Sequence, residues 1–202
     1  MKLKVCGLRD NIRQVAALAP DYIGFIFYET SPRFVGHDFE IPNLNEGIKK
    51  VGVFVNESAG KVKALVERYN LDYVQLHGTE SQQYCDELKN EGIGTIKAFQ
   101  VDEAFDFDML NQYESVTDYF LFDTKSKNYG GSGMAFDWGL LKKYSLDKPY
   151  FLSGGISLDN VKDLEKIDLS KVHALDVNSR FEIRPGLKNV EDLKDFIARL
   201  EN

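Results

Sequence analysis

The chain has 202 residues, of which 43% are hydrophobic and 28% charged, a composition typical of a globular protein. Its 25 basic and 32 acidic residues give a net charge of −7. No basic run is present, which excludes a typical nucleic-acid partner, because phosphate backbones are bound by clustered lysine and arginine. No apolar stretch approaches the roughly 20 residues that cross a bilayer, and the first ten residues lack a signal-peptide core. We therefore expect no membrane association and a cytoplasmic location.

Two residue types exclude further classes of site. The only cysteines, Cys6 and Cys85, are too few for a disulfide framework or a four-cysteine zinc site. His37, His77 and His173 each lack a second ligand at metal-binding spacing on the same element. The sequence therefore predicts no metal site.

Short apolar runs alternate with amphipathic stretches along the whole chain. The predicted strands are residues 3–6, 22–27, 51–55, 73–76, 95–100, 119–123, 150–153 and 174–177. Apolar residues three or four apart predict helices over 11–18, 61–69, 81–90, 136–144, 158–167 and 190–200, with weaker patterns at 42–50 and 105–113. Predicted helix caps are Ser58, Thr79 or Ser81, Asp137 and Ser157.

Eight strand–helix units of about 25 residues each indicate a closed (β/α)8 barrel, although a doubly wound open sheet shows the same local alternation. Strands such as residues 51–55 are continuously apolar, as expected for parallel strands buried on both faces. The length leaves no room for a second domain. We therefore predict a single α/β barrel domain over residues 1–202, with its site at the carboxyl ends of the strands.

Two candidate proton-transfer groups end predicted strands. Cys6 could act as a base if nearby cations such as Arg9 and Arg33 favour the thiolate, since a free thiol has a pKa near 8.5. The alternative is a buried, inert cysteine. Asp123 follows an apolar run, which raises the cost of ionising its carboxyl group and suits a general acid. The alternative is a cap or a partner for Lys125.

Glycine-rich stretches after the sixth and seventh strands predict a phosphate site. They are Gly130-Gly131-Ser132-Gly133 and Ser153-Gly154-Gly155-Ile156, and Asn178-Ser179 follows the eighth strand. Glycine lets backbone N–H groups approach an anion, and a helix beginning after Ser157 would add its positive end. Tight turns without a ligand are the alternative. His77 ends the fourth strand and is expected to line the same pocket.

An ordered set of motifs between residues 3 and 188 closely resembles phosphoribosylanthranilate isomerase. The motifs are Lys4-Val5-Cys6-Gly7-Leu8, Gly24-Phe25-Ile26-Phe27, Ser31-Pro32-Arg33, Val51-Gly52-Val53-Phe54, Val74-Gln75-Leu76-His77-Gly78, Phe122-Asp123, Gly130-Gly131-Ser132-Gly133, Phe136-Asp137-Trp138, Leu152-Ser153-Gly154-Gly155 and Asp176-Val177-Asn178-Ser179. One segment departs from the family pattern, because Arg180-Phe181 stands where a glycine and a small apolar residue are usual.

The resemblance implies an Amadori rearrangement of N-(5-phosphoribosyl)anthranilate to 1-(2-carboxyphenylamino)-1-deoxyribulose 5-phosphate, in tryptophan biosynthesis and without a cofactor. It implies that Asp123 is the general acid, Cys6 the general base and Arg33 the ligand of the anthranilate carboxylate. The remaining expected substrate-binding residues are His77, Gly131, Gly133, Gly154, Gly155, Asn178 and Ser179. We expect a small phosphorylated substrate and a monomer, with a homodimer as the alternative.

Three rival functions differ from this one in chemistry. Indole-glycerol-phosphate synthase is expected to use a catalytic lysine where this chain has Cys6, and ribulose-phosphate epimerase is expected to need metal ligands. A non-catalytic phosphate-ligand sensor would not require both Cys6 and Asp123.

Overall fold

Eight parallel strands close into a barrel in the order β1 to β8. The computed structural model describes residues 1–124 and 137–201 of the chain. The strands are β1 Lys2–Cys6, β2 Tyr22–Ile26, β3 Lys49–Phe54, β4 Tyr73–Leu76, β5 Gly94–Val101, β6 Tyr119–Thr124, β7 Tyr150–Leu152 and β8 Val172–Val177. Strand β1 pairs with both β2 and β8, which closes the sheet. The predicted barrel is therefore confirmed, and the open doubly wound sheet is wrong.

The half of the barrel interior nearer the amino ends of the strands is filled by apolar and aromatic side chains, which form a plug. Alternate residues of a strand face the same side, so every second residue points inward. These inward residues form one buried cluster: Tyr22, Val51, Ile96, Ala98, Leu121, Phe151 and Ala174. The rings of Tyr22 and Phe151 meet edge to face with centroids 5.1 Å apart. The plug closes the barrel at the amino ends of the strands, so the open end for a ligand is at the carboxyl ends.

Within residues 1–124 and 137–201, the α-helices outside the barrel are fewer than predicted. They are α1 Ile12–Ala16, α2 Ala59–Tyr69, α3 Gln82–Asn90, α4 Asn111–Glu114 and α5 Val190–Glu201. Ser58 and Ser81 cap α2 and α3 by accepting hydrogen bonds from the backbone N–H groups of Lys61 and Tyr84. Among the described helices, none is long and apolar enough to span a membrane.

Several helix predictions are wrong or shifted. The helical pattern at 42–50 is irregular backbone that leads directly into β3. After β7, residues 158–160 form a turn and only Val161–Lys166 is helical, as a 3-10 helix, so Ser157 caps no helix. Trp138–Lys143 is also a 3-10 helix, capped by Asp137 as predicted.

A small hairpin after β8 was not predicted. Strands β9 Glu182–Arg184 and β10 Leu187–Lys188 pair antiparallel beside the mouth of the barrel. Arg9 holds the hairpin through its backbone N–H, which donates to the Gly186 carbonyl, and its guanidinium, which donates to the Pro185 carbonyl. The hairpin brings Glu182 and Lys188 next to the first loop.

Candidate active site

A single pocket at the carboxyl ends of the strands collects most of the predicted site residues. Gly131 and Gly133 lie outside the described residues. The other eight all line this pocket: Cys6, Arg33, His77, Asp123, Gly154, Gly155, Asn178 and Ser179. Gln75, Asp176 and Arg180 also line it. The pocket therefore brings together side chains from β1, β4, β6 and β8 and from the loops that follow β2 and β7.

Cys6 is the last residue of β1 and is almost fully buried. Its neighbour across the strand pair is Gly24, where a Cβ would lie 2.8 Å from the thiol sulfur, so the glycine makes the room that the thiol occupies. Burial raises the pKa of Cys6, and the charges of Lys4 and Lys188 oppose this rise. The cations that act most strongly on the thiol are thus Lys4 and Lys188, which the sequence analysis did not name for this role, and not Arg9 or Arg33.

Asp123 lies near the end of β6, with 14% of its side chain exposed to the pocket. Its Oδ1 accepts a 2.8 Å hydrogen bond from the backbone N–H of Thr124. Its Oδ2 lies 3.3 Å from Nε2 of His77. The carboxyl group is thereby held in one orientation while its second oxygen stays close to the pocket.

Sequence reasoning missed three polar residues inside the barrel: Lys4, Gln75 and Asp176. All three are buried, and the Lys4 ammonium donates to Gln75 Oε1 at 2.7 Å and to Asp176 Oδ1 at 2.8 Å. Burial alone would lower the pKa of Lys4, but the negative charge of Asp176 raises it, so the ammonium stays charged. Strand alternation was the available signal, because each residue lies in a strand two positions before a predicted site residue, which ends or directly follows that strand.

Arg33 is oriented by an ion pair. Its Nε and Nη2 donate to the Glu182 carboxylate at 3.0 and 2.7 Å, and the Lys188 ammonium donates to Glu182 Oε1 at 2.9 Å. Burial would raise the pKa of Glu182, but Arg33 and Lys188 together lower it, so the carboxylate stays ionised. Within the described part of the chain Nη1 of Arg33 makes no hydrogen bond. This edge of the guanidinium remains available in the pocket.

The loop after β7 has the backbone form expected of an anion site. Gly154 and Gly155 have φ values of 89° and 73°, a left-handed conformation that favours glycine. Their backbone N–H groups donate to no other described residue. Asn160 fixes the loop by donating to the Gly155 carbonyl at 2.9 Å. The predicted helix dipole is absent here, because no helix begins at Ser157.

The departure from the family pattern after β8 is accommodated without strain. Ser179–Phe181 forms a 3-10 turn, and Arg180 does not adopt a positive φ, so no glycine is required at this position. Phe181 packs on Phe196 of α5 with ring centroids 5.0 Å apart. Arg180 is exposed at the rim of the pocket.

Among residues 1–124 and 137–201 no group of three or more metal-ligating side chains comes together. The described part of the pocket offers instead a thiol, a carboxyl group, a guanidinium edge and free backbone N–H groups. Such a set suits proton transfer on an anionic substrate.

Comparison with known proteins agrees with these features. Residues 3–199 match the family model for N-(5'-phosphoribosyl)anthranilate (PRA) isomerase. The N-(5'-phosphoribosyl)anthranilate isomerase of Parabacteroides distasonis is 44% identical, over 99% of this chain and 93% of that protein.

Two solved structures share the fold along the whole chain. Monomers generated from the dimeric phosphoribosylanthranilate isomerase of Thermotoga maritima are 28% identical, with a TM-score of 0.79 and coverage of 100% of this chain and 99% of theirs. A phosphoribosyl anthranilate isomerase in complex with reduced 1-(o-carboxyphenylamino)-1-deoxyribulose 5-phosphate is 30% identical, with a TM-score of 0.81 and coverage of 100% and 98%. The chain therefore belongs to the N-(5'-phosphoribosyl)anthranilate isomerase family.

Proposed function

We propose that this chain, acting as one barrel domain, converts N-(5-phosphoribosyl)anthranilate to 1-(2-carboxyphenylamino)-1-deoxyribulose 5-phosphate in tryptophan biosynthesis. The observation that carries the proposal is that Cys6 and Asp123, from strands β1 and β6, line the same pocket. An acid and a base on one substrate are what an aldose–ketose isomerisation requires. The relative with reduced 1-(o-carboxyphenylamino)-1-deoxyribulose 5-phosphate bound supports the same substrate class.

The acid acts first in the proposed mechanism. Protonated Asp123 gives its proton to the furanose ring oxygen, the bond between C1 and this oxygen breaks, and the anthranilate nitrogen supplies electrons to form a Schiff base. The Cys6 thiolate then removes the proton from C2, which yields an enolamine. The enolamine tautomerises to the aminoketone. Asp123 gives one proton and Cys6 takes one up, so the rearrangement needs no cofactor.

Lys4 and Lys188 support the base in this scheme. Burial makes the thiolate costly, and these two cations reduce that cost from β1 and β10. The ammonium groups are themselves held by Asp176 and Glu182, so they stay in place when Cys6 changes charge.

We assign the two anionic ends of the substrate to opposite features of the pocket. The Arg33 guanidinium, positioned by Glu182, would bind the anthranilate carboxylate through its remaining N–H groups. The N–H groups of Gly154, Gly155 and Ser179 would bind the phosphate.

Replacing Arg33 with Lys should raise KM about 10- to 100-fold, the worth of one charge-assisted hydrogen bond. An ammonium cannot make the paired bonds of a guanidinium, and it also cannot reproduce the pairing with Glu182. In both wild type and variant, the measurement compares the affinity for the product with the affinity for an analogue that lacks the aromatic carboxylate. Equal affinity of wild type and variant for the full product would place carboxylate recognition elsewhere.

Replacing Gly155 with Ala should raise KM about tenfold with a smaller effect on kcat, because a Cβ is strained at this positive φ and the amides must move. Gly92→Ala is the matched control, since Gly92 has nearly the same φ of 75° in the turn between α3 and β5. Titration with ribose 5-phosphate measures the phosphate end directly. Similar KM values for both variants would contradict the assignment.

Complementation tests the function as a whole. Expression of the chain should restore growth without tryptophan to an auxotroph that lacks this isomerase, and Cys6→Ser should not. A phosphate-ligand sensor would bind ribose 5-phosphate without restoring growth.

A monomeric state and a cytoplasmic location stay predictions for this chain. Light scattering on the purified protein distinguishes a monomer from a dimer such as the Thermotoga maritima relative.

A further inference from the structure

A continuous line of polar side chains runs inside the barrel from Lys4 to Asp123, and all of its members except Lys4 line the pocket. Lys4 Nζ lies 2.7 Å from Gln75 Oε1, and Gln75 Nε2 lies 2.8 Å from His77 Nδ1. His77 Nε2 lies 3.3 Å from Asp123 Oδ2. Gln75 is 2% exposed, so water does not replace these contacts. The line joins the ammonium near the proposed base to the carboxyl group of the proposed acid.

The chemistry of each group fixes the direction of every bond in this line. An ammonium can only donate, so the amide atom that faces Lys4 must be the oxygen of Gln75. The amide nitrogen of Gln75 is therefore the atom beside His77 Nδ1, and an amide nitrogen also can only donate. Nδ1 must accept, which leaves its lone pair unprotonated. A histidine with an unprotonated Nδ1 is neutral and carries its proton on Nε2.

Nε2 of His77 is buried and forms no well-aligned hydrogen bond within the described residues, although it lies beside the Asp123 carboxyl group. Nε2 is the ring nitrogen that faces the carboxyl group used in the proposed mechanism, 3.3 Å from its Oδ2. The charged and titratable groups around His77 and Asp123 come from several elements. Lys4 and Cys6 lie on β1, and Asp176 lies on β8. Glu80, in the loop after β4, and Lys97, on β5, form a buried ion pair.

We propose that Gln75, held by Lys4, is a positioning residue that keeps His77 as the neutral Nε2–H tautomer. His77 then offers Asp123 a neutral N–H donor and no positive charge. An imidazolium at this place would favour the carboxylate form of Asp123 and so remove the proton that ring opening needs. This proposal rests on the proposed role of Asp123 as the acid.

The wild-type protein provides the first test, without substrate. In a nitrogen-15 NMR spectrum of the imidazole rings at neutral pH, His77 should show an unprotonated Nδ1 and a protonated Nε2. The His77 signals are those missing in His77→Asn, which separates them from His37 and His173. A protonated Nδ1 at neutral pH would overturn the proposal.

Two variants of Gln75 then predict opposite states of His77. In Gln75→Glu a carboxylate can accept a hydrogen bond from Nδ1, so His77 should become an imidazolium at pH 7. Because an imidazolium favours the carboxylate form of Asp123, the basic limb of the kcat–pH profile should move to lower pH. The kcat at pH 8 should then fall at least about tenfold. In Gln75→Met the ring should stay neutral at pH 8 as a mixture of tautomers, with the basic limb in place. Gln83→Glu on the exposed side of α3 makes the same charge change and should alter neither readout.

These measurements distinguish a failure of the positioning role of Gln75 from a failure of the proposed function. A neutral His77 in Gln75→Glu, or an unmoved basic limb beside an imidazolium, would overturn the positioning role. Absence of turnover in a wild-type protein that shows the Nε2–H tautomer would contradict the proposed function and leave the tautomer assignment standing.

Discussion

Cys6→Ser should lower kcat by about 10²–10⁴-fold, the usual contribution of a general base. A serine hydroxyl fits the space that Gly24 leaves for the thiol, but it is a far weaker acid than a thiol and yields no useful base, even beside Lys4 and Lys188. Removal of the C2 proton should become rate-limiting. A substrate deuterated at C2 should therefore show a large isotope effect on kcat in this variant.

The second cysteine supplies the control for Cys6. Cys85 is also fully buried, but it lies in α3 and does not line the pocket. Cys85→Ser should lose some stability, because it buries a hydroxyl group, and should keep its kcat. Equal kcat values for Cys6→Ser and wild type would remove Cys6 from the mechanism.

Asp123→Asn should lower kcat by a similar factor of about 10²–10⁴, because an amide cannot deliver a proton to the ring oxygen. The amide oxygen can keep the hydrogen bond from the Thr124 N–H, so the fold and the affinity for product should change little. Ring opening should now limit the rate. The isotope effect of the C2-deuterated substrate should disappear, the opposite of the result for Cys6→Ser.

Asp106 offers a matched control for this change. It accepts a hydrogen bond from a nearby backbone N–H, that of Asp108, as Asp123 does from Thr124, but it is exposed and outside the pocket. Asp106→Asn should leave kcat unchanged. A large C2 isotope effect in Asp123→Asn would show that Asp123 does not act in ring opening.

The strands were predictable from the sequence because a parallel strand buried on both faces is a continuous apolar run, which is a local property. All eight strands begin and end within two residues of their predicted limits. The caps at Ser58 and Ser81 were equally local. The helix pattern at 42–50 was misleading, because apolar spacing alone does not decide whether a segment becomes a helix or irregular backbone.

The candidate residues of the site were also largely accessible from the sequence, since parallel strands place their carboxyl ends together. Cys6 and Asp123 end predicted strands and His77 directly follows one, and the structure places all three in one pocket. Of the two cations near Cys6, Lys4 could have been found from strand alternation in β1, but Lys188 could not. Lys188 approaches from the hairpin after β8, which carries no strong strand pattern.

By itself, then, the sequence determined which segments form strands, which strand ends carry reactive groups and which end of the barrel holds the candidate site. Only the tertiary structure decided the partners of those groups. Glu182 and Arg33 are 149 positions apart, and Lys4 and Asp176 are 172 apart. The Lys4–Asp176 pair depends on the register with which β8 closes the barrel onto β1, and the Arg33–Glu182 pair depends on the hairpin after β8 meeting the loop after β2. No local pattern contains that information.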